Sequence, residues 1–338
     1  MTTTDASGAA HAAAARFREV HDKVKAEVHK AIVGQEEVID AVLAALFAGG
    51  HVLLEGVPGI GKTMLVRAVG DALDLSFSRI QFTPDLMPAD VRGTEVLVEA
   101  EGGGRDLEFR AGPIVANLVL ADEINRATPK TQSAMLEAMQ ERQVTVGDRT
   151  IALDEPYCVM ATQNPVEQEG TYPLPEAQLD RFLFKVVVGY PKEADYARIL
   201  ALTTGVDAEQ PGAVSNAEEV LELRRTVREV EVGESAQEHA VRLIMATQPG
   251  SPYAPQLVED AVALGSSPRG AQELVLAAKV QALRAGRFAV AAEDVRAVAM
   301  PCLRHRVLLS FQGQADGVTA DQVVEAVLAA VPLPGAGL

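Results

Sequence analysis

The sequence predicts a doubly wound parallel α/β domain followed by an all-helical one. Three observations carry this. Short apolar, strand-like runs alternate with helical runs over residues 32–190. Beyond Tyr190-Pro191 nearly every segment shows the three–four apolar spacing of a helix. Between them lies a local signal: Val52-Leu53-Leu54 runs into Gly56-x-x-x-x-Gly61-Lys62-Thr63, and the helical segment Met64–Leu73 follows. Strand, glycine-rich turn and helix in that order are the context of a phosphate-binding loop.

The elements follow in order. The first fifteen residues are small and polar, with neither a basic start nor a long apolar stretch, so a disordered tail is expected rather than a secretory signal. Phe17–Ala31 has apolar residues at 17, 20, 24 and 28, which is helical spacing. Ile32-Val33-Gly34-Gln35 leads into a second helix carrying Val38, Val42 and Leu46, closed by Gly49-Gly50. After the phosphate loop, Phe77–Phe82 alternates like a strand. Thr94–Phe109 reads as a projecting hairpin around Gly102-Gly103-Gly104, and Val144–Leu153 as another around Gly147-Asp148. Residues 116–121, Tyr157–Thr162 and Phe182–Val188 are continuous apolar runs suited to strands buried on both faces. Pro129–Glu141 is built of good helix formers. The expected division is a core over 16–190 and a helical domain over 191–338, with no internal repeat.

Composition narrows the function. The chain has 338 residues and a formal charge of −17, from 47 acidic against 30 basic residues. Such a field repels phosphate backbones and anionic lipid, which disfavours non-specific nucleic-acid binding. No apolar run reaches the length of a membrane span, and a cytoplasmic location is expected. Cys158 and Cys302 sit among apolar residues, as buried reduced thiols do. The six histidines are scattered, with no Cys or carboxylate at ligand spacing, so no metal beyond Mg²⁺ is expected. Arg304-His305-Arg306 reads as a solvated or interface-facing basic knot.

The chemistry concentrates on a few residues. Glycines let the backbone of Gly56, Pro58, Gly59, Ile60 and Gly61 curl so that the N–H groups it carries face phosphates, and the helix opening at Lys62-Thr63-Met64 adds its positive end. Lys62 would reach the β- and γ-phosphates, and the Thr63 hydroxyl would ligate Mg²⁺. Asp122-Glu123 end an apolar strand 59 residues beyond Thr63. There the Asp can hold Mg²⁺ and the Glu can polarise an attacking water. Asn164 ends the next buried strand, where it can reach the γ-phosphate or the lytic water. Arg181 precedes the last strand, and Pro268-Arg269 opens a helix of the second domain.

That succession resembles the AAA+ ATPases over residues 30–310. The strings DEINRATPKTQSAMLEAMQERQVTVGDRT, CVMATQNPVEQEGTYPLPEAQLDRFLF and SSPRGAQELVLAAKVQALRAGR are similar to the MoxR family within them. The resemblance implies an AAA+ P-loop core and helical lid, with Val33 and Gly34 near the adenine of ATP. It makes Asn164 sensor 1, Arg269 a sensor 2 acting within its own subunit, and Arg181 an arginine finger entering a neighbour's site. Arg126 is a second basic residue for that interface. The two hairpins match the helix-2 insert and pre-sensor-1 hairpin, but neither resembles an aromatic pore loop; Phe109 is their one aromatic residue. The implied function is ATP hydrolysis in a hexameric ring that remodels client complexes with a von Willebrand factor A domain protein. A nucleic-acid motor and a non-turnover ATP switch are the alternatives; charge disfavours the first, and a complete set of catalytic residues the second.

Overall fold

The computed structural model describes residues 3–57, 59–99, 105–165, 170–205 and 209–334. Pro58 and the expected Gly102-Gly103-Gly104 turn lie outside the described residues. The chain opens with α1 (Thr3–Ala31), so helix stands where a disordered tail was expected. The reason is the alanine run at 12–15: too weakly apolar to read as a core segment, it is the strongest helix-forming composition available. Ala14, Phe17, Val20, Val24 and Val28 form the buried stripe of this helix. α2 (Glu36–Ala48) ends at Gly49, whose φ of 78° is the left-handed cap that glycine supplies without strain.

The core then alternates strand and helix: β1 (Val52–Glu55), α3 (Lys62–Leu73), β2 (Phe77–Gln81), α4 (Pro88–Arg92), β3 (Gly93–Glu99), β4 (Arg105–Ala111), β5 (Leu118–Asp122), α5 (Pro129–Glu141), β6 (Gln143–Val146), β7 (Arg149–Ala152), β8 (Cys158–Gln163), α6 (Glu176–Leu179) and β9 (Phe184–Val187). Five strands form one parallel sheet in the order β2-β5-β8-β1-β9. The pairs β3–β4 and β6–β7 are the two expected hairpins, both antiparallel. Glu95 and Arg149 link them at 3.5 Å. Exposed Leu97 and Leu107 face each other across the first.

Successive residues of a strand point to opposite faces of the sheet. Val52, Leu54, Leu118, Leu120, Cys158 and Met160 therefore enter one apolar cluster, while Leu53, Val119, Ala121, Val159 and Ala161 enter another, under α5. Both faces are covered, which explains why these strands read as continuous apolar runs. Both cysteines are free and buried, and burial pushes each thiol up to about 11.

The helical part comprises α7 (Glu193–Thr204), α8 (Ala217–Glu229), α9 (Glu234–Ala246), α10 (Gln256–Ala261), α11 (Pro268–Arg284), α12 (Ala292–Leu303), α13 (Phe311–Ala315) and α14 (Ala320–Ala330). It is not purely helical. Residues 231–232 pair with 289–290 in parallel, and 262–264 pair with 308–309 in antiparallel. Strands of two or three residues are too short to leave a period-two signal. The apolar cluster on the α3 face of the sheet runs on into these helices without a break at Tyr190-Pro191. Helix α1 packs against α3, α8 and α11. Asp40 of α2 joins Lys25 of α1 and Arg284 of α11, each at 2.7 Å. His305 and Arg306, expected in solvent or facing an interface, are buried against the core segment Asp180–Leu183 of the same chain. Backbone carbonyls and a carboxylate there replace the water that a charge pattern alone would demand. Among the described residues, no helix is long and apolar enough to cross a membrane.

His51, just ahead of β1, is fully buried: its Nε2 sits 3.1 Å from the Met139 carbonyl and its Nδ1 accepts from the Val159 N–H at 2.9 Å. These contacts assign the proton to Nε2 and leave no room for a second. Burial lowers its pKa from 6.5 to about 3. The unfolded chain therefore binds more protons between those values, and stability falls as pH falls through that window, by up to about 1.4 kcal/mol per pH unit from this one group. Chemical denaturation at pH 7 and pH 5 checks this: His51→Gln should be less stable at pH 7 but lose less on acidification. Equal acid sensitivity in the two proteins would contradict it.

Candidate functional site

The loop between β1 and α3 is shaped by backbone rather than by crowding. Gly59 and Gly61 have φ of 82° and 86°; open space surrounds the position a side chain would take at Gly59, and at Gly61 it would touch only Gln35 Nε2, at 4.0 Å. Only their left-handed conformation demands glycine. Gly56 differs: an added Cβ would lie 2.7 Å from the Val188 carbonyl. The loop is braced from outside by Gln35, whose Nε2 donates to the Ile60 carbonyl at 2.8 Å. Lys62 Nζ donates to the Gly56 carbonyl at 2.7 Å, folding the lysine across the loop. Its desolvation lowers the ammonium pKa, and the nearby Asp122 and Glu123 carboxylates oppose that shift.

Gly59, Gly61, Lys62, Thr63, Met64, Asp122, Glu123 and Asn164 line one cavity of ≈ 360 Å³, together with Arg79 and Gln81 of β2. Parallel strands cause the convergence. β2, β5 and β8 are neighbours with their carboxyl ends on one edge, so Gln81, Asp122 and Gln163-Asn164 arrive side by side.

One hydroxyl fixes the two carboxylates. Thr162 Oγ1 donates to Asp122 Oδ1 at 2.6 Å and accepts the Glu123 N–H at 2.8 Å. The other Asp122 oxygen accepts from Arg79 Nη2 at 2.6 Å and Nε at 3.1 Å. Glu123 stands in the left-handed region at φ 57°, a conformation costing a non-glycine residue about 1–2 kcal/mol. Its Oε2 accepts from Gln81 Nε2 at 2.9 Å and Arg126 Nη1 at 3.0 Å. The oxygen donors of Thr63 and Asp122 suit a hard divalent cation.

Beside this polar cavity lies an apolar one of ≈ 300 Å³ that shares Gly59, Gly61 and Met64 with it. Ile32, Val33 and Ile60 form its floor, and Tyr190, Tyr196 and Ile199 close it from the start of the helical part. A flat heterocycle joined to a phosphate chain has this pair of requirements: an apolar slot opening on a polar cradle. Gly34, expected here, does not line the slot. Its φ is 66°, and an added Cβ would meet Asp195 of α7 at 2.8 Å.

Two candidate residues lie outside the lining of the phosphate cavity, Arg181 as expected of a residue meant for a neighbour's site. Arg181 follows α6, donates Nη1 to the Leu136 carbonyl at 2.6 Å, and lines a separate cleft with Ser133, Glu137 and Gln140. Arg269 is exposed at the start of α11 and is not among the residues that line either cavity. The reason is the docking of α11: Ser267 donates to Asp180 Oδ2 at 3.1 Å, holding this helix end beside Arg181. Sequence reasoning missed Arg79, Gln81, Thr162 and Gln35. Thr162 was legible in principle, as the polar residue at the end of an apolar strand, whereas Arg79 and Gln81 depend on which strand neighbours β5.

Comparison with known proteins agrees with this geometry. Residues 51–184 match the model of the ATPase family associated with various cellular activities (AAA), and residues 254–327 that of the AAA lid domain. Chaperone MoxR1 of Mycobacterium tuberculosis is 43% identical, over 94% of this chain and 83% of its own. Protein MoxR of Methylorubrum extorquens is 33% identical, over 94% of this chain and 96% of its own. A crystal structure from Cytophaga hutchinsonii, described as that of a candidate ATPase, superposes with a TM-score of 0.89 at 38% identity, covering 96% of this chain and 98% of its own.

The Thr162 hydroxyl gives a direct test of the carboxylate geometry. Thr162→Val keeps the shape but leaves the Glu123 N–H without its acceptor. Nucleotide affinity should stay within about threefold while kcat falls on the order of tenfold or more. An unchanged kcat in steady-state assays would show that the hydroxyl does not set the geometry.

Proposed function

This chain belongs to the MoxR family of AAA+ ATPases, and we propose that it hydrolyses ATP at the seams of a ring, each site completed by the next protomer. The observation carrying this reading is the separation of Arg181 from the phosphate cavity. Among the described residues, the cations lining that cavity are Lys62 and Arg79, and Arg79 is engaged by Asp122 and Gln81. Charge builds on the γ-phosphoryl oxygens during transfer, and an arginine delivered there accelerates the reaction by roughly 10³–10⁵. Arg181 lines a separate cleft, and in this reading a neighbour's nucleotide meets it there. Arg269 stands on the same side, next to Ser267 and its Asp180 contact, so we assign both arginines to the neighbour's site.

Within the protomer, Lys62 and the loop N–H groups hold the triphosphate. The apolar slot takes the adenine, and Thr63 and Asp122 would hold Mg²⁺, which supplies charge neutralisation at the β- and γ-oxygens. Glu123 polarises the attacking water, and Asn164 orients it. Gln81 and Arg126 both donate to Glu123 Oε2, so a water that is to be polarised by that oxygen must displace at least one of them. A relative bearing the name chaperone supports a remodelling role for the work released. A client complex recruited with a von Willebrand factor A domain protein is the partner class that fits the family. A nucleic-acid motor fits less well with a net charge of −17.

Three variants test the reading. Lys62→Ala should abolish nucleotide binding. Glu123→Gln should bind ATP but not turn it over, and is the trap with which to capture the partner. Arg181→Ala should bind ATP normally and lose roughly 10³-fold in kcat. Wild-type turnover by Arg181→Ala would remove the trans-acting arginine from the mechanism.

A further inference from the structure

Arginine catalysis at a seam needs placement to a fraction of an ångström. Arg181 sits on a turn, and what fixes the backbone of that turn comes from the lid. Arg306 lies three residues past the end of α12, with its side chain 1% exposed. Its Nε donates to Asp180 Oδ1 at 2.8 Å. Its Nη2 donates to the Phe182 carbonyl at 2.8 Å and the Asp180 carbonyl at 3.2 Å. Its Nη1 reaches the Leu183 carbonyl at 3.2 Å, and the Cys302 carbonyl as well. One guanidinium thus grips acceptors immediately before and immediately after Arg181. Ser267 holds the second Asp180 oxygen, and His305 Nε2 reaches the Phe182 carbonyl at 2.9 Å.

We propose that Arg306 is a positioning residue for ATP hydrolysis: a lid-borne guanidinium that orients the Asp180–Leu183 turn so that Arg181 reaches the adjacent protomer's nucleotide. The proposal rests on the seam reading above. Its physical warrant is that a buried ion pair is a poor way to add stability, since an apolar pair of similar volume does as well or better. What a buried arginine supplies is direction: five donors in a rigid plane that fix several acceptors relative to one another. The same clamp registers Ser267 and the start of α11 against the turn, so Arg181 and Arg269 are set together. A lysine keeps the charge but not the plane.

Mixed rings separate positioning from mere support. Full-length Arg306→Lys and Asp180→Asn are each assayed alone and in equimolar mixture with Glu123→Gln. Alone, each should lose at least roughly tenfold in kcat, with KM for ATP within about threefold of wild type. In the mixture, turnover should recover towards a quarter of the wild-type rate. In a head-to-tail ring, about one interface in four then pairs an intact pocket with an intact arginine donor. Arg181→Ala mixed with Glu123→Gln is the control. Should Arg306→Lys fail to fold, Asp180→Asn carries the test, because its carboxylate is 24% exposed. Unchanged kcat, or a loss that mixing does not restore while Arg181→Ala is restored, would overturn the positioning role. Failure of the Arg181→Ala control would overturn the seam reading and this proposal with it.

Discussion

The acidic and amide residues of the phosphate cavity gather at one edge of a parallel sheet, and the register of that sheet is the constraint the rest obeys. Gln81 pairs with Asp122, Ala121 with Ala161, and Leu54 with Thr162. That register sets the Thr162 hydroxyl between the Asp122 carboxylate and the Glu123 N–H. A slip of one residue would turn each of these side chains to the opposite face. The apolar alternation on both faces holds the register, so core packing and catalytic geometry are one specification. Because parallel strands send all their carboxyl ends the same way, the helix that follows β1 presents its N-terminus to the same cavity.

The second constraint is that charge is divided between faces. The phosphate cavity owns the lysine, the carboxylates and Asn164, while Arg181 and Arg269 are displayed elsewhere. The helical part does more than cap the core. It supplies Tyr196 and Ile199 to the apolar slot beside the phosphate cavity and, from Arg306, the guanidinium that grips the Asp180–Leu183 turn. Helix α1 and the Lys25–Asp40–Arg284 ion group fasten the two parts into one apolar cluster.

Much of this was legible in the sequence. The phosphate loop, Asp122-Glu123, the buried strands and the hairpins follow from period, glycine placement and apolar runs, which are local signals. What stayed hidden depends on contacts far apart in the chain. Arg79 and Gln81 look like surface residues of an alternating strand until β2 is set beside β5. Arg306 looks solvated until Asp180 and three backbone carbonyls of the core meet it. The start of α11, which carries Arg269, docks beside Asp180 through Ser267, and no spacing in the sequence encodes that contact. The alanine-rich first half of α1 escaped, although Phe17–Ala31 was legible, because propensity without hydrophobicity reads as a tail.

The central claim is that triphosphate cleavage belongs to a pair of protomers. The most direct test is ATP turnover per protomer as the wild-type chain is diluted through its assembly range, with ring content followed by light scattering. Turnover per protomer should fall in step with the loss of assemblies. A rate per protomer that stays constant down to fully monomeric chain would contradict the account and leave a self-sufficient hydrolase in its place.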